Sequence, residues 1–324
     1  MNSFEKYLDV LPEIQQALDE NKPVVALEST ILSHGMPYPE NLDFAHRVEE
    51  VIRSLGAIPA TCAIVKGRLK VGLTAEELEK ELRAAGVTVR AHPWLAGCFE
   101  VSATGDLERL PAFTEGHFTV QDAAARLVAT VAAPGETDRV LDMCAAPGGK
   151  SFALAIDQKD RGEILSCDVH PHKLSLIERG AERLGIHSVR TALADGRERH
   201  AAWENAADLV VADVPCSGLG IIRKKPDIRY KDPKELAELP AIQSAILDNA
   251  AAYVRPGGVL VYSTCTVLPE ENEGVTTAFL DTHPDFEMEP FSLPQPIGGC
   301  CGQLTLWPQR YGTDGFYICR MRKK

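Results

Sequence analysis

The fold is decided by the stretch from residue 139 to residue 151, which reads Arg139-Val140-Leu141-Asp142-Met143-Cys144-Ala145-Ala146-Pro147-Gly148-Gly149-Lys150-Ser151. A short apolar run leads into a turn with a proline and two glycines, and a helix-forming run follows. Glycines allow the backbone to approach a ligand closely, and amides at a helix N-terminus can face a carboxylate or phosphate. The order predicts the first strand, loop and helix of a nucleotide-binding α/β sheet. Taken alone, such a turn also fits an ordinary tight strand-to-helix connection.

Strand and helix signals alternate beyond this loop, about every 20 to 30 residues. The predicted strands end near Asp168, Asp213 and Ser263, with helices over residues 173–184 and 236–254 between them. This alternation predicts an open, mostly parallel, doubly wound sheet, which binds ligands at the carboxyl ends of its strands.

Acidic residues and cysteines stand at these strand ends. Asp168 can accept both ribose hydroxyls of a nucleoside, although an acidic strand end is also a common helix cap. Asp195, after a predicted third strand, could meet an adenine amino group. Cys216 and Cys265 each follow a strand end. A single such cysteine is usually a buried structural residue, but two on adjacent loops favour a nucleophile with a stabilised thiolate.

The composition is that of a soluble globular protein: 324 residues, 45% hydrophobic and 25% charged. The net charge of −12 argues against a general polyanion-binding surface and leaves room for a local basic patch at residues 223–231. Nine cysteines without a CxxC pair predict reduced thiols and no metal site. No apolar run approaches the ~20 residues of a membrane span, and no signal peptide is recognised at the start. We therefore expect a cytoplasmic protein without a membrane partner.

The first third of the chain has a different pattern. An amphipathic helix is predicted over residues 1 to about 20, and a strand over 23–28. A helix capped by Asn41 or Asp43 and a strand at 60–65 complete the beginning of a βαβ unit. Further on, Thr74-Ala75-Glu76-Glu77 predicts a capping box that opens a helix through Leu82. A strand over 87–90 and further short strands to residue 110 follow, and residues 111–116 are expected to form a linker.

Residues 22 to about 74 closely resemble the N-terminal quarter of pseudouridine-5′-phosphate glycosidases. The resemblance is carried by Pro23-Val24-Val25-Ala26-Leu27-Glu28-Ser29-Thr30-Ile31-Leu32-Ser33-His34-Gly35-Met36-Pro37-Tyr38-Pro39. It implies that Glu28 matches the family's catalytic glutamate. That family also needs a Schiff-base lysine and a manganese-binding aspartate from later in its chain, and nothing after about residue 74 resembles those parts. We expect a structural remnant of a gene fusion, whose incomplete sheet could promote association.

Residues from about 76 to the end resemble the C-terminal part of the RsmB-type branch of the RsmB/Nop/NSUN family. These are bacterial 16S ribosomal RNA cytosine-5 methyltransferases that use S-adenosylmethionine. The matching stretches are Cys144 to Lys150, Asp168 to Leu174, Asp213 to Gly220, Arg223 to Arg229, Ser263 to Thr266 with Glu271-Asn272-Glu273, and Gly312 to Phe316. The resemblance implies a class I S-adenosylmethionine-dependent methyltransferase fold, that is, a Rossmann-like doubly wound sheet.

The resemblance also assigns site residues. It implies that Cys265 is the nucleophile, that Cys216 assists its release, and that Asp213 contacts N3 of the cytosine. The implied RNA contacts are Arg223, Lys224, Lys225 and Arg229. The implied S-adenosylmethionine contacts are Cys144, Ala145, Ala146, Pro147, Gly148, Gly149, Lys150, Asp168, Asp195 and Asp213.

Together the two resemblances predict three parts: a glycosidase-like fragment (1–75), a truncated small α+β module (76–112) and the catalytic domain (113–324). The expected partner is RNA, 16S ribosomal RNA in particular, and not DNA. The expected state is a monomer, with association possible through the N-terminal fragment. The chain departs from the family at Tyr311, where histidine is expected, and at Ala124-Ala125, where serines are expected. We also expect the family's N-terminal RNA-binding domain to be replaced by the glycosidase-like fragment. A glycosidase and a non-catalytic fusion product remain the alternatives.

Overall fold

The computed structural model describes residues 8–28, 40–65, 68–71, 88–95, 97–102, 111–116 and 118–324. The chain forms two compact units, Met1–Phe113 and Thr114–Lys324. The boundary predicted near residue 75, the capping box at Thr74 and its helix through Leu82 lie outside the described residues. So does the loop 29–39, which carries most of the glycosidase-like motif.

The first unit contains a four-stranded sheet in the order β1-β4-β3-β2 and a separate hairpin, β5-β6. Its elements are β1 (Leu8–Val10), α1 (Pro12–Asp19), β2 (Val24–Glu28), α2 (Glu40–Ser54), β3 (Ile58–Val65), β4 (Arg68–Val71), β5 (Thr88–Ala91), β6 (Phe99–Ser102) and the short α3 (Pro111–Thr114), which crosses into the second unit.

The predicted βαβ beginning is confirmed, because β2 and β3 pair in parallel on either side of α2. The helix predicted from the first residues is wrong at its start. Leu8–Val10 forms a strand parallel to β4, and the helix begins at Pro12. Proline favours the first helical turn and keeps the preceding residue, here Leu11, extended. The segment 111–116, predicted as a linker, contains the boundary between the two units, and Pro111 opens a short helix within it.

The second unit is built on one sheet, in the order β12-β16-β11-β10-β7-β8-β9, with β15 paired to β16. Its elements are α4 (Ala123–Ala132), β7 (Arg139–Asp142), α5 (Gly149–Asp157), β8 (Glu163–Asp168), α6 (Pro171–Leu184), β9 (Val189–Leu193), β10 (Ala207–Asp213), α7 (Pro233–Ala237), α8 (Leu239–Tyr253), β11 (Val254–Thr264), α9 (Glu273–Thr282), β12 (Phe286–Met288), β13 (Phe291–Leu293), β14 (Gly298–Cys300), β15 (Gln303–Leu306), α10 (Pro308–Tyr311) and β16 (Phe316–Lys323).

The doubly wound sheet predicted from the alternating pattern is confirmed. Strands β7 to β11 are parallel to one another, and β16, β12 and β15 add an antiparallel edge next to β11. The chain builds outward from β7 through β8 to β9, then crosses to the other side of β7 for β10 and β11. This reversal of direction opens a crevice at the carboxyl end of β7, where such folds bind ligands.

Packing holds the loop after β7 against its neighbouring helix. The Phe152 ring of α5 is buried with Ala145, Ile177 and Ala181. A methyl group on Gly180 of α6 would lie 2.4 Å from this ring, so the small residue allows the ring to fit. The helices α5 and α6 therefore leave little freedom for the loop between β7 and α5.

Two other loops meet at a pair of glycines. The Gly220 amide donates a hydrogen bond to the Cys265 carbonyl oxygen (3.0 Å), and the Gly315 amide donates one to the Gly220 carbonyl oxygen (2.8 Å). A methyl group on Gly220 would lie 1.9 Å from the Gly315 carbonyl oxygen. These loops can approach so closely only because both positions lack a side chain.

We expect Gly220→Ala to reduce the free energy of unfolding by about 1–3 kcal/mol, because one of the two backbones must move away from the new methyl group. Denaturant unfolding of the full chain measures the change. Gly299→Ala is the matched control, since a methyl group there would meet no atom within 4 Å. Equal unfolding midpoints for the two variants would contradict the expectation.

Candidate active site

Four polar residues end the central strands of the second unit. Asp142, Asp168, Asp213 and Thr264 are the last residues of β7, β8, β10 and β11. Because these strands are parallel, their carboxyl ends lie along one edge of the sheet, where the glycine loop and both Cys216 and Cys265 also follow a strand end. The structure thus brings most of the residues singled out in the sequence to a common edge.

The glycine loop has the conformation that its sequence predicts. Gly148 has φ +108° at the N-cap of α5, in a region that favours glycine, and a methyl group there would lie 2.5 Å from the Phe152 ring. The loop is closed by a hydrogen bond of 2.8 Å from the Gly148 amide to the Ala145 carbonyl oxygen. Burial raises the pKa of the Cys144 thiol, which is therefore a neutral group beside the loop. The backbone amides of the first turn of α5 are available to a ligand.

Asp142, the last residue of β7, is a candidate site residue to which the sequence patterns gave no role. Its carboxylate is fully buried, and burial raises its pKa to about 6. Ser151 Oγ donates to Asp142 Oδ2 (2.7 Å) and accepts from Ser166 Oγ (2.7 Å). Within the part of the chain that the structure describes, Asp142 Oδ1 has no hydrogen-bond partner. A buried oxygen in this state can accept a donor from a ligand. The position of Asp142 at the end of β7, directly before the glycine loop, is the sequence signal that could have identified it.

The end of β8 presents an acidic group beside apolar surface. Asp168 accepts a hydrogen bond of 2.9 Å from the His170 amide, which orients its carboxylate. Leu193 is the neighbour of Asp168 in the sheet register, and Val169 follows it in the chain. These two apolar side chains are 58% and 48% exposed. An acid next to exposed apolar side chains fits the ribose and the base of a nucleoside.

Asp195 has a different environment from the one predicted. Its carboxylate forms an ion pair with Arg197, with 2.5 Å between Asp195 Oδ2 and an Arg197 guanidinium nitrogen. The Arg197 amide also donates to Asp195 Oδ1 (2.9 Å). The hydrogen bonds from Arg197 lower the pKa of Asp195. A contact from Asp195 to an adenine amino group would have to share the carboxylate with this arginine.

Asp213 is held by two neighbours. Lys150 Nζ lies 2.5 Å from Asp213 Oδ2, and Ser263 Oγ donates to Asp213 Oδ1 (2.7 Å). Ser263 is the register neighbour of Asp213 across β10 and β11, so its side chain is on the correct face for this bond. Burial would lower the pKa of Lys150, but the attraction and hydrogen bond of Asp213 outweigh it, and the pKa is raised. Lys150 is therefore a cation, and its ammonium also lies 5.3 Å from the centre of the Phe316 ring.

The two cysteine side chains of the strand ends are in contact. Cys216 Sγ and Cys265 Sγ are 3.2 Å apart, and both residues are partly exposed. A hydrogen bond from the Cys216 thiol stabilises a thiolate at Cys265 and lowers the pKa of Cys265, although burial opposes this effect. The positive charge of Lys150 also lowers it. The same hydrogen bond and burial raise the pKa of Cys216. These opposite shifts favour the thiolate form at Cys265 and the protonated thiol at Cys216.

A buried polar network supports the loop that carries Cys216. Glu271 Oε2 accepts hydrogen bonds from the Ser217 amide (2.9 Å) and from Gln243 Nε2 (2.8 Å). Ser217 Oγ donates to Thr266 Oγ1 (2.7 Å), which joins this loop to the one that carries Cys265. Our sequence reasoning missed Gln243, Ser217 and Thr266 as supporting residues, because nothing in a single sequence indicates that side chains so far apart in the chain converge.

The four predicted RNA-contacting cations divide into two pairs. Arg223 and Lys224 both form ion pairs with Asp122 and Asp314, at distances of 2.7 to 2.9 Å. Asp122 is the N-cap of α4, so these cations join the basic segment to another part of the unit. Lys225 and Arg229 are exposed. Among the residues that the structure describes, neither of them forms an ion pair.

We expect the alkylation of Cys265 by iodoacetamide to shift to higher pH in Cys216→Ala, because the hydrogen bond that lowers its pKa is lost. The rate of modification, measured by mass spectrometry as a function of pH, gives the midpoint. Cys301→Ala is the matched control, since Cys301 is exposed at the end of the β13-β14 hairpin. A midpoint that is the same in wild type and Cys216→Ala would show that the two thiols do not interact.

Comparison with known proteins assigns both parts of the chain. Residues 129–322 match the model of the 16S rRNA methyltransferase RsmB/F family, and residues 13–92 match that of Indigoidine synthase A like proteins, which are similar to pseudouridine-5′-phosphate glycosidases. Within the described residues, no helix is long and apolar enough to cross a membrane, and no three metal-binding side chains converge.

Individual relatives agree with the longer match. The chain is 43% identical over 219 residues to a probable ribosomal RNA small subunit methyltransferase B of Bacillus subtilis, covering 65% of this chain and 49% of the relative. A relative of the same description from Synechocystis is 39% identical over 228 residues, covering 68% and 51%. A solved methyltransferase homolog from Pyrococcus horikoshii aligns with a TM-score of 0.63 and 27% identity, over 78% of this chain and 83% of that one.

The chain spans about half the length of the curated relatives that it matches. The family and fold predicted from the motifs are confirmed by the match, which covers more than half of the chain. The chain belongs to the 16S rRNA methyltransferase RsmB/F family.

Proposed function

We propose that the protein transfers a methyl group from S-adenosylmethionine to C5 of a cytosine in RNA, with 16S ribosomal RNA as the substrate. The observation that carries this proposal is the contact of 3.2 Å between Cys216 Sγ and Cys265 Sγ, at the sheet edge that also holds Asp213. Two thiols with pKa values displaced in opposite directions suit a reaction in which one adds to the base and the other assists its release.

The residues of the crevice fit S-adenosylmethionine. Asp168 is suited to the ribose hydroxyls, and exposed Val169 and Leu193 are suited to the faces of the adenine. The loop from Cys144 to Lys150 and the unpartnered Asp142 Oδ1 remain for the amino-acid end, which carries an ammonium donor. When bound, S-adenosylmethionine supplies an electrophilic methyl group. Asp195 can take part only through the carboxylate that it shares with Arg197.

The nucleophile is needed because C5 of cytosine is a weak nucleophile. Addition of the Cys265 thiolate to C6 makes the ring enamine-like, so that C5 can accept a methyl group. Lys150 and the Cys216 thiol favour the thiolate before the addition. Asp213 faces N3 in this scheme and, when it carries a proton, donates a hydrogen bond there that stabilises the negative charge developing on the ring, with Lys150 and Ser263 holding its side chain in position.

Release of the product requires a base to take the C5 proton. The electron pair of the C5–H bond then re-forms the C5–C6 double bond, and the bond between C6 and Cys265 Sγ breaks with Cys265 leaving as a thiolate. We assign assistance in this step to Cys216, which lies in contact with the leaving sulfur. Removal of Cys216 should then leave protein and RNA joined by the bond between Cys265 Sγ and C6. The target cytosine must also leave its stack to reach the thiols, which costs least in single-stranded or loop RNA. The proposal places the protein in the cytoplasm as a monomer, with RNA as its partner rather than DNA or a membrane.

We expect wild-type protein to transfer labelled methyl groups from S-adenosylmethionine to unmodified 16S ribosomal RNA, and Cys265→Ala to lose this activity by at least about 1,000-fold, because it lacks the nucleophile. Label in RNA digests located at 5-methylcytosine measures the reaction. Cys301→Ala, at an exposed cysteine outside the site, is the matched control and should retain full activity. Equal transfer by wild type and Cys265→Ala would refute the covalent mechanism.

A covalent protein–RNA complex is expected with Cys216→Ala in the presence of S-adenosylmethionine, because the addition to C6 still occurs while release is impaired. Denaturing electrophoresis of labelled RNA detects the complex. The double variant Cys216→Ala, Cys265→Ala should give no complex, since the attacking thiol is absent. The absence of a complex with Cys216→Ala would count against the assignment of the two cysteines.

A further inference from the structure

An exposed aromatic ring follows the loop that carries Cys216. Tyr230 ends a 3₁₀ turn, Pro226–Tyr230, and is 78% exposed. It is the most exposed large hydrophobic side chain among the described residues of the second unit. A tyrosine ring left in water has no contribution to make to the core, although single exposed apolar residues are common on protein surfaces. The attachment of the turn and the charges around it indicate whether Tyr230 contacts a ligand.

The turn is attached to the Cys216 loop at two points. Ile228 is buried, and its Cδ1 atom lies 3.2 Å from the position that a methyl group on Gly218 would occupy. Lys231 Nζ donates a hydrogen bond of 2.8 Å to the carbonyl oxygen of Ser217, the residue next to Cys216. Tyr230 lies between these two attachments in the chain. Its backbone is therefore held in a defined place beside the loop that carries one of the two active-site thiols.

The charge around the turn is locally positive in an acidic protein. Residues 225–234 contain four cations and two acids, whereas the whole chain has a net charge of −12. The Arg229 guanidinium lies 5.0 Å from the centre of the Tyr230 ring, which is a cation–π distance. Arg223 and Lys224 form ion pairs with Asp122 and Asp314, whereas the exposed Lys225 and Arg229 form none with the residues that the structure describes. Arg229 thus lies against the aromatic ring, and Lys225 is the N-cap of the turn that ends at this ring.

An exposed aromatic ring flanked by cations has the chemistry of a single-stranded nucleic-acid contact, in which a base stacks on the ring and its phosphates meet the cations. A rigid attachment reduces the conformational entropy lost on binding. Such a stack also has a purpose here, because extrusion of the target cytosine leaves a neighbouring base without its stacking partner. A ring beside the catalytic loop can replace that partner.

We propose that Tyr230 is a positioning residue on which a base adjacent to the target cytosine stacks, with Arg229 and Lys225 contacting the neighbouring phosphates. This inference rests on the proposed function for the identity of the target base. It assigns RNA positioning to the part of the basic segment from Lys225 onward, whose Lys225 and Arg229 form no ion pair with the described residues. Arg223 and Lys224, by contrast, hold the segment to Asp122 and Asp314.

The first test separates binding from chemistry in the full-length protein. With 16S ribosomal RNA as substrate, we expect Tyr230→Ala to raise KM for RNA by roughly 5- to 100-fold, the range for loss of one base–aromatic stack, with a much smaller effect on kcat. Tyr230→Phe should keep the wild-type KM, because the stacking face is retained. The affinity for S-adenosylmethionine and the thermal midpoint should be unchanged. A wild-type KM in Tyr230→Ala, or a rise of equal size in Tyr230→Phe, would overturn the proposal.

Arginine variants test the phosphate contact. Arg229→Ala should raise KM and make it less dependent on salt. Arg139→Ala is the matched control, since Arg139 is an exposed arginine at the amino end of β7, on the opposite edge of the sheet. Equal effects of the two variants would show that only overall charge matters and would overturn the assignment of Arg229.

The second test does not depend on catalysis. Tyr230→Trp is titrated with a short single-stranded oligoribonucleotide containing cytidine, and the fluorescence change of wild type under the same conditions is subtracted. We expect quenching of the added tryptophan, because a stacked base quenches indole emission, and no quenching overturns the proposal. If quenching occurs in a protein that transfers no methyl group, the stacking contact stands and the proposed function fails. If methyl transfer occurs without quenching, the proposed function stands and the stacking contact fails.

Discussion

The ion pair between Lys150 and Asp213 is the interaction on which the arrangement of the catalytic unit depends. It joins the first turn of α5 to the end of β10 at a distance of 2.5 Å, so the glycine loop and the second active-site loop keep a common geometry. Both side chains are largely removed from water, and charges in such positions require a partner. Through its charge, Lys150 also favours the thiolate of Cys265. One contact therefore links the glycine loop with Asp213 and, through the charge of Lys150, with the Cys265 thiol.

Close backbone contacts complete this arrangement. Gly220 and Gly315 bring two loops together around the Cys265 carbonyl oxygen, while Glu271 holds the Ser217 amide beside Cys216. The thiols meet because each follows the end of one of two adjacent parallel strands. The sheet edge defines the approximate positions, and the buried polar network fixes the distance between the two sulfur atoms.

Charge is distributed unevenly over the catalytic unit. The basic segment after Cys216 begins with cations that are neutralised by Asp122 and Asp314, and it ends with cations that face solvent beside Tyr230. A negatively charged protein can in this way present one locally positive surface without a general affinity for polyanions. The first unit has its own four-stranded sheet and exposes apolar side chains, Leu55 and Val51 among them, so association through this unit remains a prediction.

Local sequence patterns determine most of the strands and helices of the second unit and the residues at its strand ends. The run from Arg139 to Ser151 specifies a strand, a glycine turn and a helix through backbone preferences, and the alternation after it specifies parallel strands whose ends must share an edge. The positions of Asp168, Asp213, Cys216 and Cys265 at that edge follow from the same logic. Local patterns failed where two preferences competed, as at Leu8–Val10, where pairing with β4 prevailed over a helical periodicity.

Which side chains meet depends on how the whole chain folds. The two sulfur atoms that lie 3.2 Å apart belong to residues far apart in the chain. The same is true of the ion pairs that distinguish Arg223 and Lys224 from Lys225 and Arg229. The ion pair between Asp195 and Arg197 also depends on side-chain conformation that the sequence does not specify. The lack of a hydrogen-bond partner for Asp142 Oδ1 among the described residues and the exposure of Tyr230 likewise arise from packing. A sequence specifies which residue types are present at a strand end. Distances, burial and electrostatic partners come from the folded chain, and these set the pKa values on which the chemistry depends.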